Sequence, residues 1–272
     1  MNLIRSEVLG YCMGVRKAVQ AVTDCLSDNN ACQVYTCGPL IHNPSVLSDL
    51  EHKGVKILTE PFPANLSNSK VIIRAHGIPP LEKQKLINSK ASVIDATCPR
   101  VLSSQKRAEN YFKKGFQVYL AGDKNHGEIT GIAGFAPNCI VLENSSDAEK
   151  IEKIPEKSVL ISQTTIKKEE YEQIASVLLK KNPNLIVCDT ICPATSERQK
   201  ALDSLSQKVE GIIVVGGKNS ANTVRLFLTA QKLVSHAWLI ENSENIPEEV
   251  YEFKTLGITA GASTPDEVIE SV

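Results

Sequence analysis

Two stretches of the chain repeat one frame, and that repeat limits the folds open to it. Val93-Ile94-Asp95-Ala96-Thr97-Cys98-Pro99 and Val187-Cys188-Asp189-Thr190-Ile191-Cys192-Pro193 each read as an apolar strand, then Asp, two residues, Cys and Pro. Seven residues after each cysteine comes Gln-Lys, at Gln105-Lys106 and Gln199-Lys200, so the match runs on into the following helix. A weaker third copy stands at the N-terminus, where a strand-like run meets Gly10-Tyr11-Cys12 and an amphipathic helix begins. The three cysteines lie 86 and 94 residues apart, each where a strand gives way to a helix. The expectation is an α/β chain of three pseudo-symmetric lobes with small, mainly parallel sheets, delivering three thiolates to one central iron–sulfur or other metal site.

Strand and helix patterns alternate throughout. Val15, Ala18, Val19, Val22 and Leu26 recur at helical spacing behind Gly14. Asn43-Pro44 starts a second helix, with Asn as N-cap and Pro at the first helical position, and Gly54 ends it. QVYT, VKIL, VIIRA, FQVYLAG, CIVL, SVLIS, GIIVVGG, HAWLI and TLGITA read as strands. The boundaries follow from the cysteines: lobe one spans 13–97, lobe two 98–191 and lobe three 192–272. Lobes one and two each end in a strand that runs into a cysteine, and lobe three lacks one. The first strand, leading to Cys12, therefore completes the third sheet, so that segment 1–12 belongs with lobe three.

Composition narrows the partners. In 272 residues the formal charge is -1, with Lys and Glu interspersed, which argues against nucleic acid. MNLIRSEV has no apolar leader core and no apolar run approaches the length of a bilayer span, so a soluble cytoplasmic protein is expected. In a reducing compartment, eight cysteines read as metal ligands, reactive groups or small core residues rather than disulfides.

In parallel α/β sheets, ligands bind beyond the carboxyl ends of the strands. Counting from each lobe's cysteine, His42 comes 30 residues after Cys12 and His76 comes 64 after. His126 comes 28 after Cys98, with Glu128 beside it, and Thr164 comes 66 after. Ser220 comes 28 after Cys192, with Asn222 beside it, and Ser263 comes 71 after. Each lobe thus offers one thiolate and two polar loops. His42, His76, His126, Ser220, Asn222 and Ser263 form a donor-rich set suited to phosphate, sulfate or carboxylate, and the helix opening at Ser220 adds its dipole. Glu128 is the one carboxylate in a site loop without an obvious capping role. Beside a cluster and an anionic ligand its pKa rises, which suits a proton donor, although a first-turn helix glutamate fits the same position.

Three converging thiolates have two uses: a cubane iron–sulfur cluster with one open iron, or a zinc site with an open position. The chain has no Cys-x-x-Cys pair, and one ligand per lobe suits the bulkier cluster. Cys25, Cys32, Cys37, Cys139 and Cys188 stand outside the frame and read as packing residues, as do His52 and His236. A zinc hydrolase acting on a phosphate ester and a non-catalytic iron–sulfur carrier are the rival functions.

The stretches GYCMGVRKAV, LIHNP, AHG, DATCP, HGE, SQTT, DTICPATSERQ, VVGGKNSANTVRL and TAGASTPD, in that order, make the chain resemble the LytB/IspH family of 4-hydroxy-3-methylbut-2-enyl diphosphate reductases. The resemblance implies three α/β lobes around an iron–sulfur cluster and reductive removal of an allylic hydroxyl, giving isopentenyl and dimethylallyl diphosphates. It implies a 4Fe-4S cluster on Cys12, Cys98 and Cys192, with the fourth iron open and a 3Fe-4S form on its oxidative loss. It assigns the diphosphate to His42, His76, His126, Ser220, Ala221, Asn222 and Ser263, and proton delivery to Glu128 and Thr164. A reduced ferredoxin or flavodoxin is the implied electron donor. This chain departs from the family pattern in three places. Ala221 stands where a serine is usual, Gly127 replaces a usual proline, and the chain stops soon after the Ser263 loop.

Overall fold

Ser158–Ser162 and Gly211–Val215 are buried at every position, as strands covered on both faces require. In the computed structural model, which describes residues 1–28, 32–41, 43–218 and 220–272, such runs alternate with helices from end to end. The first stretch holds β1 (Asn2–Arg5), α1 (Met13–Ser27), β2 (Gln33–Cys37), α2 (Pro44–His52), β3 (Lys56–Leu58), β4 (Ser69–Ile73), α3 (Pro80–Asn88) and β5 (Ser92–Asp95). Then come α4 (Pro99–Lys113), β6 (Gln117–Ala121), α5 (Gly127–Ala133), β7 (Ile140–Leu142), α6 (Ser145–Glu149), β8 (Ser158–Ser162), α7 (Lys168–Lys181) and β9 (Ile186–Cys188). The remainder is α8 (Pro193–Ser206), β10 (Gly211–Val215), α9 (Ala221–Leu233), β11 (His236–Ile240), β12 (Thr255–Ala260) and α10 (Asp266–Ser271).

The strands form three four-stranded sheets, and the pairings among the described residues are parallel. Their orders are β3-β2-β4-β5, β7-β6-β8-β9 and β11-β10-β12-β1. One topology is therefore used three times, and β1, paired with β12 from Asn2↔Thr255 to Arg5↔Ile258, holds the place that β5 and β9 hold in theirs.

Local chemistry sets the helices. Asn43 caps α2 by accepting the Val46 N–H at 3.3 Å, with Pro44 at the first position. In α7, Glu169 and Glu170 in the first turn and Lys180 and Lys181 in the last oppose the macrodipole, while Tyr171, Ile174, Ala175 and Leu178 make a buried stripe. That stripe packs on Tyr119 and Leu160, and alternate residues Val118, Leu120, Val159 and Ile161 meet Ala108, Ile129 and Ile132 on the other face. Each such aliphatic side chain contributes about 1.5–3 kcal/mol by burial. The short α6, capped by Asn144, was not expected, because five residues carry no readable period.

The chain divides into two compact units, one of residues 1–19, 39–55 and 193–272 and the other of residues 20–38 and 56–192. The sheet containing β1 lies in the first unit and the other two sheets in the second. Among the described residues no helix is long and apolar enough to cross a membrane.

Candidate functional site

The loops beyond the strand ends repeat the same backbone bonds in every lobe. The first strand of each lobe (β2, β6 and β10) runs into a glycine at positive φ, and the N–H groups of Gly38, Gly122 and Gly216 donate to the carbonyls of Leu58, Leu142 and Ile240 at 2.9, 3.0 and 2.8 Å. The third strand ends in a turn: Arg74, Gln163 and Gly261 accept from the N–H three residues on, at 3.0, 3.3 and 3.1 Å. Each cysteine of the repeated frame is then tied to that turn. The N–H of Cys98 donates to Ala75 O at 3.0 Å, that of Cys192 to Thr164 O at 2.8 Å, and that of Cys12 to Ala262 O at 3.1 Å. Every accepting residue is, or directly precedes, a predicted site residue: His76, Thr164 or Ser263.

None of these three cysteines is in a disulfide, all are partly exposed, and each stands immediately before a helix. Cys98 occupies the N-cap position of α4 without spending its side chain on the cap, and its carbonyl accepts from Leu102 N at 2.9 Å. Cys25, Cys37 and Cys188 are buried instead, and burial pushes the Cys37 thiol up to about 11. Burial likewise raises Cys25 and the half-buried Cys139, which disfavours the thiolate at both. Among the described residues no three His, Cys, Asp or Glu side chains are gathered tightly enough to hold a single metal ion. The donor set itself, three unbridged cysteines in one repeated setting, suits an iron–sulfur cluster ligated by Cys.

In lobe two, β6 leads through Gly122 to a turn in which Asp123 Oδ1 accepts from Asn125 N at 2.8 Å. His126 then caps α5: its Nδ1 accepts the Glu128 N–H at 3.2 Å, which leaves Nε2 to carry the proton of the neutral ring. The His76 ring meets that of His126 edge-on, with centroids 5.0 Å apart. Glu128 is 1% exposed. Thr164 donates its N–H to Oε1 and its hydroxyl to Oε2, both at 2.7 Å. Burial pushes the Glu128 carboxyl up to about 7, against the two Thr164 bonds, which favour the charged form. Thr164 therefore receives the Cys192 N–H at its carbonyl and holds the carboxyl with its other two groups.

In lobe three, Ser220 caps α9 by accepting from Thr223 N at 3.4 Å, and the Ser263 hydroxyl donates to Ser220 Oγ at 3.3 Å. Asn43 Nδ2 donates to Ser263 O at 2.9 Å, so the residue that starts α2 also clamps this loop. Asn222 Nδ2 and Thr223 Oγ1 are buried with no hydrogen-bond partner among the described residues. Ala221 is the first residue of α9, and His42 lies outside the described residues. His236 packs on Trp238 and Phe253, with centroids 6.0 and 4.7 Å away, consistent with a packing role.

Sequence reasoning passed over several residues that hold the loops. Arg198, 3% exposed, donates from Nη1 to Ala260 O at 2.9 Å and from Nη2 to Gly10 O at 3.0 Å, joining the approach to Cys12 with the approach to Ser263. Gln163 accepts from Asp123 N at 3.0 Å and donates to Thr165 Oγ1 at 3.1 Å, tying the two loops of lobe two. Both lie inside family-like stretches, SERQ and SQTT, and that was the available signal.

A family model described as LytB protein matches residues 3–272. A 4-hydroxy-3-methylbut-2-enyl diphosphate reductase of Treponema denticola is 50% identical over 284 residues, covering 100% of this chain and 98% of the relative. One from Caldanaerobacter subterraneus is 39% identical, covering 100% and 95%. Among solved structures, (E)-4-hydroxy-3-methyl-but-2-enyl diphosphate reductase, described as the terminal enzyme of the non-mevalonate pathway, superposes with a TM-score of 0.80 at 35% identity, covering 100% of this chain and 98% of the other. The E-1-hydroxy-2-methyl-but-2-enyl-4-diphosphate reductase of Plasmodium falciparum gives 0.88 at 28% identity, covering 99% and 86%.

Proposed function

The chain belongs to the LytB family, and on that premise we propose that it reduces 4-hydroxy-3-methylbut-2-enyl diphosphate to isopentenyl and dimethylallyl diphosphates, the terminal step of the non-mevalonate pathway. The balance requires two electrons and two protons: the allylic C–O bond breaks, water leaves, and a C–H bond forms on the allyl unit. The family is iron–sulfur dependent. Cys12, Cys98 and Cys192, one from each of the lobes 13–97, 98–191 and 192–272, would hold the cluster. When bound, a 4Fe-4S cluster with three cysteine ligands supplies the electrons one at a time and an open iron as Lewis acid toward the hydroxyl.

The chain's own residues do the rest. Ser220, Asn222 and Ser263 give hydroxyl and amide donors to the diphosphate, joined by the Ala221 backbone and by His42, His76 and His126. Fixing that end of the substrate fixes the hydroxyl end, which converts binding into orientation. Glu128, half protonated near pH 7, gives its proton to the departing oxygen. The Thr164 hydroxyl, bonded to the carboxyl, passes or orients that proton. A reduced ferredoxin or flavodoxin is the class of donor such one-electron steps call for.

One observation carries this reading: a fully buried carboxyl pushed up to about 7 is gripped through both oxygens by the residue whose carbonyl holds the Cys192 backbone. An anaerobic assay with reduced viologen and the hydroxylated diphosphate tests it. Viologen oxidation with both olefinic diphosphates as products is expected; release of phosphate without reductant would instead establish the hydrolase.

A further inference from the structure

The turn after the third strand holds Arg74, Gln163 and Gly261 at one equivalent position. Gln163 stays within its own lobe, bonded to Asp123 and Thr165. Gly261 has no side chain to reach with. Arg74 alone passes its lobe's strand-end glycine and ends against the next lobe. A Cβ on Gly38 would lie 2.8 Å from Arg74 Nη1, and a Cβ on Gly127 would lie 2.6 Å from Nη2 and 3.1 Å from Cζ. The guanidinium is thus hemmed in at two glycines. Its Nε is buried with no hydrogen-bond partner, and no ion pair of Arg74 occurs among the described residues.

Gly127 is the first residue of α5, between the cap His126 and the acid Glu128. The same two segments also meet at the His76–His126 rings, and a Cβ on Gly131 would lie 3.3 Å from His76 O. Burial raises the pKa of the Glu128 carboxyl and the two Thr164 bonds lower it, so Arg74 bears on it through packing rather than charge. We propose that Arg74 is a positioning residue for Glu128: its guanidinium occupies the space of the side chain that position 127 lacks, and wedges the first turn of α5 from the neighbouring lobe. Gly127 and Arg74 are then one device. A side chain at 127 and this placement of the guanidinium exclude each other, so any Cβ there displaces Arg74.

The inference rests on the acid role of Glu128, and its test has a readout independent of that role. Four proteins are compared: the parent, Arg74→Ala, Gly127→Pro, and the double variant. Proline is well tolerated at a first helical position, so the double variant should fold. Each single change should lower kcat about tenfold with KM little altered, and the double variant should return to within about threefold of the parent. Hydrogen exchange at the Glu128 amide, bonded to His126 Nδ1, should quicken in both single variants and slow again in the double one. That readout keeps its meaning in a parent that fails to reduce the substrate. A Gly127→Pro protein with parental exchange and turnover, or a double variant slowed by the product of the single effects, overturns the proposal.

Discussion

Lobes two and three present the same backbone to their site loops but opposite chemistry. In lobe two the donors of Thr164 are already satisfied by an internal carboxyl, Glu128, held through both oxygens. In lobe three the donors have no such partner among the described residues. Ser263 and Ser220 share one long hydrogen bond, and Asn222 Nδ2 and Thr223 Oγ1 are buried and unmatched among the described residues. A buried unsatisfied polar group costs about 1–3 kcal/mol, a cost that an arriving anion would remove. On the proposed function, one scaffold thus serves a proton donor in one copy and an anion receptor in another. The difference comes from which residue follows each strand, not from the fold.

Mutating the internal carboxyl should give the largest effect on turnover. Glu128→Gln keeps the shape, with its oxygen accepting the Thr164 N–H and its NH2 donating to the Thr164 hydroxyl, but it is no acid, so kcat should fall at least ~100-fold with substrate binding retained. Steady-state kinetics beside direct ligand titration separate the two. Near-parental turnover would assign the proton to another group.

The pH dependence comes next. The Glu128 carboxyl is raised from 4.5 to about 7, so the folded chain holds this proton more tightly than the unfolded chain does. Its contribution to stability is complete below about 4.5 and is lost as pH rises through about 7. The parent should therefore melt at a lower temperature at pH 8 than at pH 5 by more than Glu128→Gln does. Its kcat should fall about tenfold per unit above pH 7.

In lobe three the effect is smaller and falls on affinity. Asn222→Ala removes one donor, so KM for the diphosphate should rise about tenfold, the equivalent of about 1.4 kcal/mol, with kcat nearly intact. Calorimetric binding of inorganic diphosphate offers the same comparison without turnover. An unchanged affinity would remove Asn222 from the receptor.

Much of this was legible beforehand because it is written locally. The Asp-x-x-Cys-Pro frame, the apolar runs and the caps Asn43 and Ser220 are short-range signals, and they located the cysteines and the helix starts. That lobe three lacks a closing strand was visible in the order of elements, and β1 pairs with β12. Side-chain partners far apart in sequence were not legible. Thr164 grips a carboxyl 36 residues away, and Arg198 bonds carbonyls 62 and 188 residues away. No periodicity encodes such contacts. Gly127 read only as a missing proline, since nothing in the sequence says that an arginine 53 positions earlier fills its place.

The central claim is that three equivalent loops present three ligands to one cluster. Iron and acid-labile sulfide analysis, with visible spectra, on anaerobically purified parent and on Cys12→Ser, Cys98→Ser, Cys192→Ser and Cys37→Ser tests it most directly. About four irons and four sulfides per chain are predicted for the parent and for Cys37→Ser, with the broad visible absorption lost in each of the other three. Zinc without sulfide in the parent, or an intact spectrum in Cys98→Ser, would contradict the account.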